Sequence, residues 1–163
     1  MLSLSNTVWS SQKFQELKSS IHRCCLDLLA DKLTRIKQDL EALHTAIQQD
    51  QKSSMGDKYE TGPALLHQQR QQLLQQERQL ASHHQALQQL TPHANQKSVE
   101  PGCLISTNHG LFYVSIGLGR VVCKEQEVWA ISLQSPLGKS LHQRKAGDEV
   151  NFQGRSYNLK QLV

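Results

Sequence analysis

The stretch "SSMGDKYETGPALL", residues 53–66, separates two long runs rich in leucine and glutamine. Its reading decides where one helix stops and the next begins. Asp57 with Glu60 three residues on is the pattern of a capping box, in which the Asp accepts a backbone N–H and the Glu reaches back. Pro63 points to a different start. Proline is best placed in the first turn of a helix, with Thr61 or Gly62 as the cap. On that reading Asp57 and Glu60 fall before the helix, in a turn bracketed by Gly56 and Gly62. Two ionised carboxylates held close together offer hard oxygen ligands for Mg²⁺, an ion that commonly takes one or two carboxylates and keeps its waters.

The flanks of this turn read as helix. Upstream, Leu26, Leu29, Leu33, Ile36, Leu40, Leu43 and Ile47 alternate steps of three and four, the seam of a coiled coil. Phe14, Leu17, Ile21 and Leu28 extend the helix on a shifted stripe, and Asn6, Thr7 or Ser10 is placed to cap its start. No Gly or Pro occurs between Ser10 and Gln51. Downstream, Leu66, Leu73, Leu80 and Leu87 recur at intervals of seven, with Gln69, Gln76 and His83 between them. A seam this polar buries little by itself, so it needs the first helix as partner. The short break at 53–62 places the two antiparallel.

Composition changes after Thr91. The segment "TPHANQKSVEPG", 91–102, reads as a linker. Beyond it the chain is rich in Val, Ile and Gly. The expected division is therefore a helical hairpin over 1–95, with its tip at 53–62, and a β-rich domain over 96–163. In the second part "GCLIST" (102–107), "GLFYVSIG" (110–117) and "EVWAISL" (127–133) read as strands. Ser135 is placed to cap a short helix with Pro136 at its first position. "AGDEVNF" and "RSYNLKQLV" then form a hairpin with Gln153 and Gly154 in the turn. The fold class is α+β: an antiparallel coiled-coil hairpin followed by a small antiparallel sheet with one helix.

The formal net charge is +4 in 163 residues, with Lys and Arg interspersed among acids as on a solvated helix face. No basic stripe suited to direct nucleic-acid recognition stands out. The N-terminal residues lack the pattern of a signal peptide, and no apolar run approaches the about 20 residues that span a bilayer. Cys24 and Cys25 are adjacent and the other two cysteines lie far off, so no metal or disulfide spacing is formed. A cytoplasmic protein with reduced thiols is expected. His83 and His84 point about 100° apart on a helix and cannot share a metal. His22, His44 and His67 stand alone.

Two stretches together resemble the bacterial Gre transcript-cleavage factors, the family of GreA and GreB. "GDKYE", Gly56 to Glu60, is similar to the Gly-Asp-x-x-Glu run of that family's tip loop. "SPLGKSLHQRKAGDEVNF", 135–152, resembles its Ser-Pro stretch with Gly-Asp and a strand after it. The resemblance implies an FKBP-like second domain that docks at the rim of the RNA polymerase secondary channel while the coil enters the channel. It implies an accessory factor, not an enzyme. Asp57 and Glu60 would act in trans as the metal-positioning pair, flanked by Gly56, Lys58 and Tyr59. They would share Mg²⁺ with the polymerase for hydrolysis of backtracked RNA, and no cofactor would be tightly bound. Gln134, Ser135, Pro136 and Leu137 would form the docking turn. Contact with nascent RNA would be indirect, and a monomer is expected.

The sequence departs from the family at Thr61-Gly62-Pro63, where a helical run usually follows the acids, and at Gln134, where an acid is often found. Two other readings stand beside cleavage stimulation. One is a secondary-channel modulator or inhibitor; the other is a coiled-coil scaffold or adaptor, suggested by the Gln-rich seam. A prolyl isomerase would rest on fold analogy alone, and the β half has few aromatics to line a proline pocket.

Overall fold

A computed structural model describes residues 8–53 and 61–163. Helix α1 runs Ser11–Ser53, 43 residues, and α2 runs Thr61–Gln88. They form a helical hairpin ahead of a sheet domain with one short helix, so the chain is α+β. Ser10 is the cap that α1 uses: its hydroxyl accepts from Lys13 N at 3.3 Å. Pro63 lies in the first turn of α2, and the helix begins at the residue after Glu60. The acids Asp57 and Glu60, with Gly56, Lys58 and Tyr59, lie outside the described residues.

Packing divides the chain into two units, residues 27–85 and residues 1–26 with 86–163. Within the first, Leu33, Ile36, Leu40, Leu43 and Ile47 are half-buried while their neighbours Lys32, Arg35, Lys37, Glu41 and His44 are exposed. That is the burial expected of the three-four seam. Asp39, Ala42 and Leu43 face Gln69, Gln72, Leu73 and Gln76 across a shared groove. On α2 the half-buried positions are Leu66, Leu73, Leu74, Glu77, Leu80, His83 and His84. Gln69 and Gln76, expected between the leucines of the seam, are exposed.

In the second unit six strands form one sheet in the order β3-β4-β2-β1-β6-β5. The strands are β1 (Leu104–Thr107), β2 (Gly110–Ser115), β3 (Gly119–Cys123), β4 (Gln126–Ser132), β5 (Glu149–Phe152) and β6 (Arg155–Leu162). Two features differ from the sequence reading. Strand β3 is additional, and β4 pairs with β2 in parallel, from Leu111 opposite Val128 to Ser115 opposite Ser132. After β2 the chain skips one position, returns as the edge strand β3, and folds back as β4 into the gap. A hairpin inserted this way reverses direction twice, so β4 ends parallel to β2. The expected all-antiparallel sheet is thereby corrected to a mixed one.

The β3–β4 turn is Lys124-Glu125, with φ of 46° and 68°. Two successive left-handed residues suit a tight hairpin, but such turns normally announce themselves with Asn or Gly. The Gln153-Gly154 turn, φ 49° and 76°, has the expected glycine and was legible.

Alternation along the strands sorts side chains onto two faces. Cys103, Ile105, Phe112, Val114, Tyr157 and Leu159 pack with Leu141 of the short helix α3 (Pro136–Leu141), and with Val99 and Val150. The opposite face carries the buried Leu104, Tyr113, Val121, Cys123, Val128 and Ala130. The first turns of α1 approach this second face through His22 and Cys24, and Phe14, Ile21 and Cys25 are fully buried there. The linker is tied to the same helix: Gln15 Nε2 donates to Pro92 O at 2.5 Å and Lys18 Nζ to Ala94 O at 2.6 Å.

Candidate functional site

The turn at 132–138 is built by hydrogen bonds converging on Ser132. Ser132 O accepts from Ser135 N at 3.0 Å and from Ser135 Oγ at 2.6 Å, and Ser132 Oγ accepts from Gln134 N at 3.1 Å. Ser135 is in extended backbone, and its hydroxyl accepts from Gly138 N at 3.0 Å, which satisfies one of the orphan donors at the start of α3. Pro136 follows as the first helical residue. Gln134 and Pro136 stay exposed, while Leu137 packs against the core. The fold thus brings together the four residues singled out as a docking turn.

Gly138 completes this turn, and its role was not read from the sequence. A Cβ built on it would lie 2.0 Å from Ser132 O and 2.8 Å from Leu133 Cα. Only a residue without a side chain lets α3 sit this close to the end of β4. The signal available was the order Ser-Pro-x-Gly. Beyond α3 the surface is basic: Lys139, His142, Arg144 and Lys145 line a depression with Ser140, Gln143 and Asp148. Asp148 Oδ2 accepts from Lys145 N at 2.8 Å, and His142 pairs with Glu100 at 3.5 Å.

A second cluster joins α1 to the sheet. His22 Nδ1 lies 2.7 Å from Tyr113 Oη, and the rings meet edge to face. Burial pushes the Tyr113 phenol well above its ordinary range, so its hydroxyl stays protonated, and the His22 tautomer sets which of the two groups donates. Burial, with His93 and Lys18 nearby, holds His22 below the usual histidine value and keeps it neutral. Lys18 is also lowered by burial, though Cys103 acts in the opposite direction.

The thiols depart from expectation. Cys24 and Cys123, 99 positions apart, form a disulfide with Cα atoms 6.1 Å apart. The expectation of four reduced thiols is corrected. Spacing along the chain carries no information about a pair brought together by helix-on-sheet packing. Cys25 and Cys103 are free and buried, and burial pushes both thiols up to about 11. Among the described residues no three His, Cys, Asp or Glu side chains gather as a metal site would require. Also among them, no helix is long and apolar enough to cross a membrane.

The class defined by this geometry is a helical hairpin joined to a six-stranded mixed sheet with one capped helix. A solved structure of the transcription factor Gfh1 is similar to it, at 18% sequence identity and a TM-score of 0.35, over 84% of this chain and 92% of that one. No protein-family model matches the chain, and no curated protein does.

Proposed function

We propose that this chain is a Gre-type factor that binds RNA polymerase through the Ser135–Pro136 turn and presents Asp57 and Glu60 from the end of its helical hairpin. One combined observation carries the reading. Two long helices, ending at Ser53 and beginning at Thr61, flank the run Gly56-Asp57-Lys58-Tyr59-Glu60, and the same chain holds a Ser-Pro turn fixed by Gly138. A lone acidic run on a coil would mean little; its pairing with a rigid, partly exposed turn suits a factor that docks with one part and reaches with the other.

Two carboxylate side chains are too few to cage Mg²⁺ alone. In the proposed role they complete a site whose remaining ligands come from the polymerase. A metal held there stabilises developing phosphoryl charge and lowers the pKa of an attacking water. The protein contributes ligands in trans and is not itself an enzyme.

Transcript cleavage in halted, backtracked complexes tests this directly. Wild type should release short 3′ RNA fragments, and Asp57→Ala or Glu60→Ala should abolish release while leaving co-purification with polymerase intact. Wild type that binds, releases nothing and alters open-complex lifetime would be a channel modulator, the reading suggested by Thr61-Gly62-Pro63 opening α2 directly after the acids. Absence of any polymerase binding would overturn both.

A further inference from the structure

We propose that the Cys24–Cys123 disulfide is a reversible clasp, opened by a dithiol reductant, that sets how firmly the first turns of α1 hold the β3–β4 edge of the sheet. The inference is independent of the polymerase reading. Cys123 is the last residue of β3, an edge strand whose sheet partner among the described residues is β4. The next two residues, Lys124 and Glu125, form a left-handed turn without glycine or asparagine, a conformation that L side chains adopt at a cost. An edge strand ending in an unfavourable turn has a weak hold on its position. The covalent tie to α1 acts at that point, beside a contact of Cys123 Sγ with Ser20 O at 3.5 Å.

The two ends of the bond differ in access. Cys24 is half-buried, whereas Cys123 is 1% exposed. An incoming thiolate therefore meets the Cys24 sulfur first. The S–S bond breaks, a mixed disulfide forms on Cys24, and Cys123 leaves as a thiolate and takes a proton. The second thiol of the reductant then attacks its own sulfur in the mixed disulfide, releasing Cys24, which is protonated in turn. The protein gains two electrons and two protons, and the dithiol becomes a cyclic disulfide. Exchange with a small-molecule disulfide reverses the sequence. Pairing stays unique because Cys25 and Cys103 are buried thiols held protonated near neutral pH, and a protonated thiol is a poor nucleophile.

The open form keeps the packing of Phe14, Ile21 and Cys25 and the His22–Tyr113 bond, so the fold survives while β3 loses its covalent tie. The test uses the full chain, alkylated with iodoacetamide and mapped by peptide mass, together with amide hydrogen exchange. Without reductant, denatured protein should label at Cys25 and Cys103 only. Dithiothreitol under native conditions should free both Cys123 and Cys24, and should speed exchange at 119–123 by about tenfold or more, with 104–107 and 155–162 unchanged. Glutathione disulfide should restore slow exchange. Cys24→Ser should match the reduced protein and ignore dithiothreitol; if it fails to fold, the reduced wild type alone carries the comparison. Four free thiols in unreduced protein would overturn the proposal. So would a bond that opens only on denaturation, or a rise in exchange spread evenly over the sheet.

Discussion

Replacing Gly138 by alanine tests whether the close seat of α3 on the end of β4 is what builds the turn. The added Cβ would stand 2.0 Å from Ser132 O, where ordinary contact begins at 3.4 Å, so helix and strand end must separate by about 1.4 Å. The obstacle is backbone, which cannot rotate away as a side chain can. Separation of that size breaks the 2.6 Å bond from Ser135 Oγ to Ser132 O and loosens Leu137 and Leu141 from the core. Overpacking costs about 1–3 kcal/mol, and the lost hydrogen bond about 1 kcal/mol more. The better helix propensity of alanine returns about 1 kcal/mol. The net loss is about 2 kcal/mol, and at ~4–8 °C per kcal/mol for a small domain the melting midpoint should fall by about 10 °C. Circular dichroism melts of Gly138→Ala and wild type, both unreduced, measure this. Pro136→Ala serves as control, since Pro136 is exposed. A Gly138→Ala protein melting with wild type would refute the argument, because it would mean α3 shifts without cost.

Glu125→Gly should stabilise the protein by about 0.5–1 kcal/mol in urea titrations, because glycine adopts φ 68° without penalty. Ser135→Ala should cost about 1 kcal/mol by removing the cap on Gly138 N, and should weaken polymerase co-purification if the turn is the docking element. A fragment of residues 96–163 alone leaves Leu104, Tyr113, Val128 and Ala130 without the first turns of α1; it should bind a hydrophobic dye and aggregate, unlike the full chain. The pH dependence follows from His22, whose folded value lies below its unfolded one. The unfolded state then binds the extra proton, so this contribution is complete above the unfolded value of ~6.5 and is lost as pH falls toward the folded value. Urea midpoints should decline on acidification below about 6.5, and His22→Gln should flatten that slope. An unchanged slope in the variant would assign the acid sensitivity to other groups.

Periodicity, caps and glycine or proline turns were legible in the residues next to them along the chain. The three-four rhythm of Leu33 to Ile47 marked the buried stripe of α1, because helical periodicity alone decides which side chains share a face. Pro63 located the first turn of α2, Ser135-Pro136 located α3, and Gln153-Gly154 located the last hairpin. In each case the residue type restricts its own backbone. The tip acids, by contrast, were legible only as a motif, and they lie outside the described residues.

Features in which distant segments meet came from packing and left no mark in local sequence. Strand β3 escaped because Lys124-Glu125 carries no turn signature; pairing with β4 imposes its left-handed backbone. The parallel pairing of β2 with β4 depends on which gap the hairpin enters, which no local propensity records. Gly138 follows the Ser-Pro pair in the sequence, but its necessity appears only when Ser132 O stands 2.0 Å from where a Cβ would be. Cys24 and Cys123 became partners, and Cys25 did not, because one turn of helix presents one sulfur and not its neighbour to the end of an edge strand. Periodicity and caps are written in adjacent residues, whereas a disulfide across 99 positions is a property of packing.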